Sequence, residues 1–511
     1  MAIDSNQHGK NGHADNAIDH VLLSGNPGMN HQAASSSRET IRAQLQHIWG
    51  YSEFRSPQGE IVQCLLEQRD ALIIMPTGGG KSICFQLPAL MQTGLTIVVS
   101  PLVALMENQV QELRQRRLPA ALLHSEVPKQ QRKQTLWALE NQSLRLLYLS
   151  PETLLSEPVW ERLCQPELKI NGLILDEAHC LVQWGDTFRP AYYRLGMVRP
   201  ALLQSKPEGT KMAIAAFTAT ANPDAQKTIQ QVLRLQQPES FRLNPYRANL
   251  HLNVQVVWTP RQRRQQLLKF IQARPGQTGL VYVRTRRDGE TLAEWLLQQG
   301  FQTAAYHAGL SPDERRQIEK AWLGGSTQFV VCTCAFGMGI DKPNCRWVVH
   351  FHAPLLLSEY VQEVGRAGRD GKPATALTLI SETTGFLDPD DKQRRQFFVE
   401  QAQKQQRSAQ ALSHKLPPQG NVVSVSREFK EGAIALSLLN STGQLEWSDP
   451  FHYVMKPGND QPAGQTNTHA AKQMTDYLKT KDCRWRFLLG AFGFALEATN
   501  LRCGHCDNCC R

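Results

Sequence analysis

Seven residues, PTGGGKS at 76–82, combine a glycine turn, a lysine and a hydroxyl in an order that grips a polyphosphate. Gly78, Gly79 and Gly80 admit backbone angles and close approaches that a side chain would block. Their N–H groups can therefore cup phosphate oxygens against the N-terminus of a following helix. Lys81 would reach the β and γ phosphates, Ser82 would hold Mg2+, and Thr77 belongs to the same turn. The strict pattern begins with a glycine where this chain has Met75, so on these residues alone a surface turn stays open. Further on, Asp176-Glu177-Ala178-His179 follows the apolar run Leu173–Leu175. One carboxylate can organise Mg2+ while the other orients or deprotonates an attacking water. Gly365–Gly371, GRAGRDG, sets Arg366 and Arg369 beside flexible turns, and a planar, always-charged guanidinium suits several phosphate oxygens at once. A phosphate turn, a paired carboxylate and two arginines together describe nucleotide hydrolysis.

Such groups need rigid elements to carry them. Ala71–Met75 is a short apolar run, read as a buried strand feeding the turn, and Ser82–Leu90 continues as a helix to the break at Thr93 and Gly94. Thr96–Val99, Leu146–Leu149 and Ile214–Phe217 are further strands alternating with helical stretches, so residues 38–240 read as one α/β lobe with a mostly parallel sheet. Leu280–Val283, Phe329–Cys332 and Trp347–Phe351, separated by segments such as Gly289–Gln299, form a second series. Residues 241–385 are thus a second α/β lobe without a phosphate loop. Two such lobes make a composite site in their cleft, the second supplying the arginines.

A chain of 511 residues with 41% hydrophobic residues exceeds one core and holds several domains. The net charge of +10 fits a polyanionic partner, and nucleic acid is favoured over a membrane surface because no lysine-rich amphipathic anchor is present. No apolar run is long enough to span a bilayer, and the polar opening is unlike a secretory leader, so a cytoplasmic protein is expected. Residues 1–37 read as a disordered tail. Cys483, Cys503, Cys506 and Cys509 have the spacing C-x19-C-x2-C-x2-C, which suits a closed structural Zn2+ site, with His505 and Cys510 as local competitors.

The segments, in their order, resemble the RecQ family of DNA helicases within helicase superfamily 2, over about residues 45–380 and again near 475–511. The resemblance implies two RecA-like parallel-sheet lobes and specific roles. Gly50, Tyr51, Phe54, Arg55 and Gln58 are similar to the family's adenine-recognition motif, with Gln58 on the base edge and Tyr51 packing on its face. Ser100–Val110 resembles motif Ia, placing Ser100 near the DNA backbone. Cys180–Pro190 resembles the aromatic-rich loop, where Trp184 and Phe188 would stack on bases and Arg189 would hold phosphate or signal to the hydrolytic site. That loop departs from the family pattern at Val182, Asp186 and Thr187. Thr218 and Thr220 fall in motif III, and Thr285 and His307 in motif IV and the neighbouring DNA-contact loop. Thr333 and Asp341 fall in motif V, which carries Cys334 where asparagine is more common. Arg366 and Arg369 fall in motif VI as the finger pair, and His179 completes the DEAH box.

The same resemblance selects the four-cysteine set for Zn2+ in a helical module at 471–511. It marks 386–470 as an accessory insert, winged-helix-like in its pattern. Because the chain ends two residues after Cys509, it is expected to be a short form lacking the distal winged-helix and C-terminal helical domains. The function implied is ATP-dependent 3′-to-5′ unwinding of DNA in repair or recombination, using ATP, Mg2+ and Zn2+. The partners implied are single-stranded and tailed or forked duplex DNA and a single-stranded-DNA-binding or repair protein, and the setting is cytoplasmic, nucleoid-associated in a bacterium. The alternatives are a DNA-stimulated translocase or annealing factor with weak unwinding, or a nonhydrolytic zinc-containing DNA-binding protein.

Overall fold

The computed structural model describes residues 33–510 except 77, 185–188, 338–339, 383–385 and 457–464; residues 33–37, 183–184 and 465–469 are described by backbone alone. The chain forms two compact units, Met1–Glu53 and Phe54–Arg511. In the first, a helix over Ala33–Trp49 begins inside the stretch expected to be a tail. It stops at Gly50, whose φ of 78° ends the helical path, and Arg42 ties the exit down through Ser52 O and Glu53.

In the second unit the first lobe is a seven-stranded sheet: β1 (Ala71–Ile74), β2 (Leu95–Val99), β3 (Ala120–Leu123), β4 (Leu146–Leu149), β5 (Ile170–Leu175), β6 (Ala213–Thr218) and β7 (Glu239–Arg242). Its order is β3-β4-β2-β5-β6-β1-β7, parallel throughout. Both faces are covered, which is why these strands read as unbroken apolar runs. Leu72, Ile97, Val99 and Leu173 enter one core while Ile73, Val98, Ile174 and Phe217 enter the other.

The second lobe repeats the plan with β8 (Leu250–Val257), β9 (Gly279–Tyr282), β10 (Thr303–Tyr306), β11 (Phe329–Cys332), β12 (Trp347–His350) and β13 (Ala374–Ser381). Its order is β10-β11-β9-β12-β13-β8, again all parallel. The edge strand β8 does not end this body. Trp485 Nε1 donates to Leu250 O (3.2 Å), Asp507 N donates to Leu252 O (3.1 Å), and Val254 N donates to the Asp507 carboxylate (3.2 Å). The expected 471–511 module therefore shares one apolar core with lobe 2, joining Leu250, Leu252 and Ala376 to Tyr477, Trp485 and Leu488.

The accessory region has a core of its own. A 24-residue helix, Asp390–Ser413, leads to β14 (Gln419–Asn421), helices Val422–Glu428 and Gly432–Ser441, then β15 (Leu445–Trp447) and β16 (His452–Met455). The helices Val422–Glu428 and Gly432–Ser441 are separate because Phe429 leaves helical angles (φ −121°, ψ 119°). The strands form an antiparallel sheet in the order β14-β16-β15. Helix-strand-helix-helix-strand-strand with that strand order is the winged-helix arrangement.

Candidate active site and zinc centre

The phosphate turn leaves the C-terminal end of β1 and the DEAH segment leaves that of β5, the side of a parallel sheet where ligands bind. Gly78 and Gly80 hold φ of 83° and 77°, so the turn's shape depends on glycine. Met75, in place of the first glycine of the strict pattern, is buried, and its Cε lies 3.3 Å from where a Cβ on Gly79 would stand. The methionine fills the floor of the loop. Lys81 and half-buried Ser82 open the helix Lys81–Met91; Thr77 lies outside the described residues.

Lys81 Nζ is 3.3 Å from Glu177 Oε1, with both side chains almost fully covered. Glu177 has a φ of 52°. A non-glycine residue held there costs about 1–3 kcal/mol. Its neighbours fix it: Glu177 N donates to Asp176 Oδ1 (3.0 Å) and Ala178 N donates to Phe217 O (2.8 Å). The two carboxyls are driven apart. Burial first, then the Glu177 charge, pushes Asp176 up to about 6, whereas Lys81 and His179 overcome burial and hold Glu177 well below the usual carboxylate range. Asp176, a buried carboxylate with no ion pair among the described residues, and the Ser82 hydroxyl at the end of the phosphate turn are hard oxygen donors of the kind that suit Mg2+.

His179 is the hub between lobes. It lies 3.2 Å from Thr218 Oγ1 and 3.3 Å from Glu177 Oε2, and the Gln362 amide of lobe 2 donates to its Nε2 at 2.9 Å. Gln362 rides on the helix Leu357–Val364, which Arg284 clamps by a two-pronged bond to Glu363 (3.0 and 2.7 Å). Burial works against the Glu363 charge, yet Arg284 holds its carboxyl down to about 2. Thr218 Oγ1 also exchanges bonds with Thr220 O (3.1 Å) and Thr220 N (3.2 Å), while the buried Thr220 hydroxyl has no partner.

The two arginines differ. Arg369 reaches the phosphate turn: its Cδ is 3.7 Å from where a Cβ on Gly78 would stand, and its Nη1 bonds Asp341 Oδ1 at 2.8 Å and Ile340 O at 3.3 Å. Arg366 is turned inward onto Gly337 O, its Nε buried without a partner. Gly337 has a φ of 102°, and a Cβ there would come within 2.5 Å of Arg366 Nε. Arg369 is therefore the guanidinium at the mouth of the turn.

The remaining expected residues are less uniform. Gln58 is buried and donates to Gly79 O (3.0 Å) and Gly80 O (3.3 Å), its Oε1 accepting from Arg55 N (2.9 Å). Arg55 Nη1 donates to Gly78 O (3.4 Å). In this arrangement both steady the loop. Tyr51, in the first unit, is exposed. Of the expected DNA contacts, Thr285 is exposed and caps the helix Arg286–Gln298. Ser100, Thr218, Thr220, His307 and Thr333 are buried. Ser100 N is spent on Leu149 O (3.0 Å), and His307 Nε2 lies 3.0 Å from Glu290. Trp184 ends the short helix His179–Trp184, but its side chain and the whole of Phe188, Asp186 and Thr187 lie outside the described residues. Arg189 donates to Glu152 (3.2 Å). Two residues not singled out in the sequence join the site. One is Gln362, which stands three residues before the arginine segment Gly365–Gly371. The other is Gln109, which donates to Asp176 Oδ2 at 3.4 Å from a helix whose apolar pattern hides it.

At the other end of the chain the Sγ atoms of Cys483, Cys503, Cys506 and Cys509 all lie within 4.8 Å of one another. That spacing fits four thiolates around one Zn2+ with bonds of about 2.3 Å and no open position. Both competitors point elsewhere: His505 Nδ1 donates to Cys503 O (2.6 Å) and Cys510 Sγ turns to Gly504 O (3.4 Å).

Comparison with known proteins agrees with this geometry. The DEAD/DEAH box helicase family matches residues 55–229, the helicase conserved C-terminal domain matches 262–371, and the RecQ zinc-binding family matches 451–510. A protein from Synechocystis sp. named ATP-dependent DNA helicase RecQ is 53% identical over 93% of this chain and 99% of its own length. A namesake from Bacillus subtilis is 33% identical over 91% of this chain and 66% of its length. One from Pasteurella multocida is 36% identical over 73% of this chain and 56% of its length. Among solved structures, the helicase Lhr of Mycobacterium smegmatis bound to single-stranded DNA and a nucleotide analogue superposes with a TM-score of 0.54 at 18% identity, covering 85% of this chain and 61% of that one. That likeness carries the fold.

Proposed function

The chain belongs to the RecQ family of ATP-dependent DNA helicases, and from that membership we propose that its cleft hydrolyses ATP to drive 3′-to-5′ movement along single-stranded DNA and separation of a duplex. Support comes from the closed composite site, above all the bond that Gln362 of lobe 2 makes to His179 of the DEAH segment. Nothing in a DNA-binding protein without hydrolysis calls for that connection.

The residues divide the work. Lys81, parked on Glu177, moves to the β and γ phosphates when ATP enters, which frees Glu177 to orient water and take its proton. Asp176 and Ser82 would hold Mg2+, which would supply positive charge beside the phosphates. Arg369 leaves Asp341 for the charge that develops in the transition state, and Arg366 keeps motif V and motif VI together. The Gln362–His179 bond makes lobe closure sensitive to the state of the site, and hydrolysis with product release reopens the cleft. The assignment of lobe 1 to 38–240, lobe 2 to 241–385, the insert to 386–470 and the zinc module to 471–511 belongs to the same reading. So do a cytoplasmic setting and tailed or forked DNA as substrate. Among the described residues no helix is long and apolar enough to cross a membrane.

Strand displacement on 3′-tailed and 5′-tailed duplexes, with ATP and with a nonhydrolysable analogue, tests the proposal. Displacement from the 3′ tail with ATP alone is expected. Lys81→Ala is expected to lower DNA-stimulated hydrolysis by about a hundredfold or more and to keep DNA binding, since one preorganised charge at a reacting centre has that weight. Displacement that persists with the analogue, or hydrolysis that survives Lys81→Ala, would overturn it.

A further inference from the structure

The winged-helix insert is built in a way that does not suit the reading of DNA. In such a module the second helix of the helix-helix pair enters the groove, and it needs exposed Arg, Lys, Asn or Gln to meet phosphates and base edges. Here that helix, Gly432–Ser441, reads GAIALSLLNS, with no cation. None of Gly432–Asn440 is exposed. The hairpin that would form the wing carries Glu446 and Asp449. The Asp449 carboxylate is occupied by Phe451 N (2.7 Å) and His452 N (2.9 Å), which folds the tip into a closed turn.

The helix packs on Asp390–Ser413 and Val422–Glu428 of the insert itself, and its remaining side meets lobe 1. Ser437 Oγ donates to Pro190 O (3.2 Å), and Arg194 Nη1 donates to Pro450 O at the hairpin tip (3.1 Å). Phe451 meets Trp160 edge-on at 5.1 Å between ring centres, and Met197 enters the insert's own core. Burial pushes the half-buried Arg194 guanidinium down to about 10. Pro190–Met197 is a 3-10 helix capped by Arg189, and Pro190 is also the last residue of the aromatic-rich segment. The other end of the insert is fixed to lobe 2. Asp391 pairs with the buried Arg263 (3.1 Å) and Arg394 with Asp288 (3.0 Å). Twenty-four helical residues then span about 36 Å towards lobe 1.

We propose that the insert is an internal strap whose inward-facing winged helix positions Pro190–Met197, and through it the exit of the aromatic-rich segment at Arg189, so that DNA engagement accelerates ATP turnover. The inference rests on the helicase reading above. Its physical basis is that Arg189 leads into an eight-residue 3-10 helix, longer than the three or four residues usual for that poorly bonded geometry. An outside body that bonds the first carbonyl and the arginine of this helix stiffens it. Because the strap is also held by lobe 2, closing of the lobes and placement of the segment are mechanically linked. Ser437, Phe451 and Arg194 are positioning residues.

The test uses the full chain and measures ATP hydrolysis with and without a single-stranded oligonucleotide. Two variants open the contact from opposite sides: Ser437→Ala with Phe451→Ala in the insert, and Arg194→Ala in lobe 1, where the fold of the insert is untouched. Both are expected to leave DNA-free hydrolysis unchanged and to lower the stimulated-to-basal ratio about fivefold or more, the usual span of a coupling between sites. Hydrogen exchange at 190–197 is expected to rise in both. Undiminished stimulation with that exchange raised would overturn the inference. It would equally be overturned if charge reversal at the exposed Arg427 and Lys430 abolished DNA binding while the contact variants behaved like the parent, because the insert would then be a DNA reader. Absence of any stimulation in the parent protein would instead strike the helicase reading, and the inference would fall with it.

Discussion

Two accessory bodies are attached to two similar lobes in opposite ways. The zinc knuckle is welded to lobe 2. Its apolar residues enter the same core as β8 and β13, Asp507 makes backbone bonds to the edge strand, and the buried Arg484 is held by a fork on Asp507 (2.5 and 2.8 Å). The winged-helix insert is placed against lobe 1. It keeps a separate core of Leu412, Val422, Leu436, Leu439 and Trp447, to which lobe 1 adds Met197, and the rest of the contact is a few polar bonds and one aromatic pair. A shared core makes one cooperative body, whereas two cores in contact can part at modest cost. The knuckle thus belongs to the architecture of lobe 2, and the insert is suited to a changing contact.

Removing the metal probes the weld most severely. Structural zinc sites carry apparent binding free energies of about 10–16 kcal/mol, larger than the stability of a typical domain. Cys506→Ala is expected to lose bound zinc, read by elemental analysis. It should also destabilise lobe 2 as a whole, so that amide protection falls in β8 and β13 as well as in the knuckle. Loss confined to residues beyond 480 would show that the shared core is not cooperative. Asp507→Ala comes next. It leaves zinc ligands in place but strands a buried guanidinium and the amide of Val254, a loss of about 3–5 kcal/mol for a broken buried pair. Retained zinc with a lowered melting temperature and an exposed Val254 amide is the expected outcome.

How much of this was legible in the sequence follows from the range of the interactions. Runs such as Leu146–Leu149 and Phe329–Cys332 match their strands because both faces of a parallel sheet are buried, so the pattern needs no partner to be recognised. Strands β3, β7, β8, β10 and β13 were not anticipated. Glu239–Arg242 is an exposed polar edge and Thr303–Tyr306 is half-buried, so neither carries a run of apolar letters. The phosphate turn, the DEAH box and the cysteines were readable because each is a local constellation. The division of labour between Arg366 and Arg369 was not, since it depends on Gly337, which meets Arg366 only after folding. The same holds for Gln362, whose partner His179 is 183 positions away. The buried placement of Ser100, His307 and Thr333 was hidden for a similar reason, because a polar letter at a strand end does not say which way the next turn faces.

On the lobe 1 side, effects are expected to be smaller and local. Leu436 is fully buried in the insert. Leu436→Ala is expected to cost about 2–5 kcal/mol, the range for a leucine truncated in a packed core. The loss should appear as lowered amide protection across 419–455, with β1 and β5 protected as before. Spreading of that loss into lobe 1 would mean the two cores act as one.

The mildest probe is the surface pair Arg234–Glu446, which joins lobe 1 to the insert at 3.3 Å with both side chains about half exposed. Solvent screens such a pair, and Glu446 also has Lys456 at 2.9 Å, so its charge is shared even when docked. Arg234→Glu, Glu446→Arg and the double exchange are expected to show a coupling of about 0–1 kcal/mol in a thermodynamic cycle, with DNA-stimulated hydrolysis near that of the parent. A coupling of several kcal/mol would require the pair to be desolvated and the contact closed around it. The insert would then be fixed to lobe 1 as firmly as the knuckle is to lobe 2, and a strap that tightens and slackens with lobe movement would have no joint at which to give.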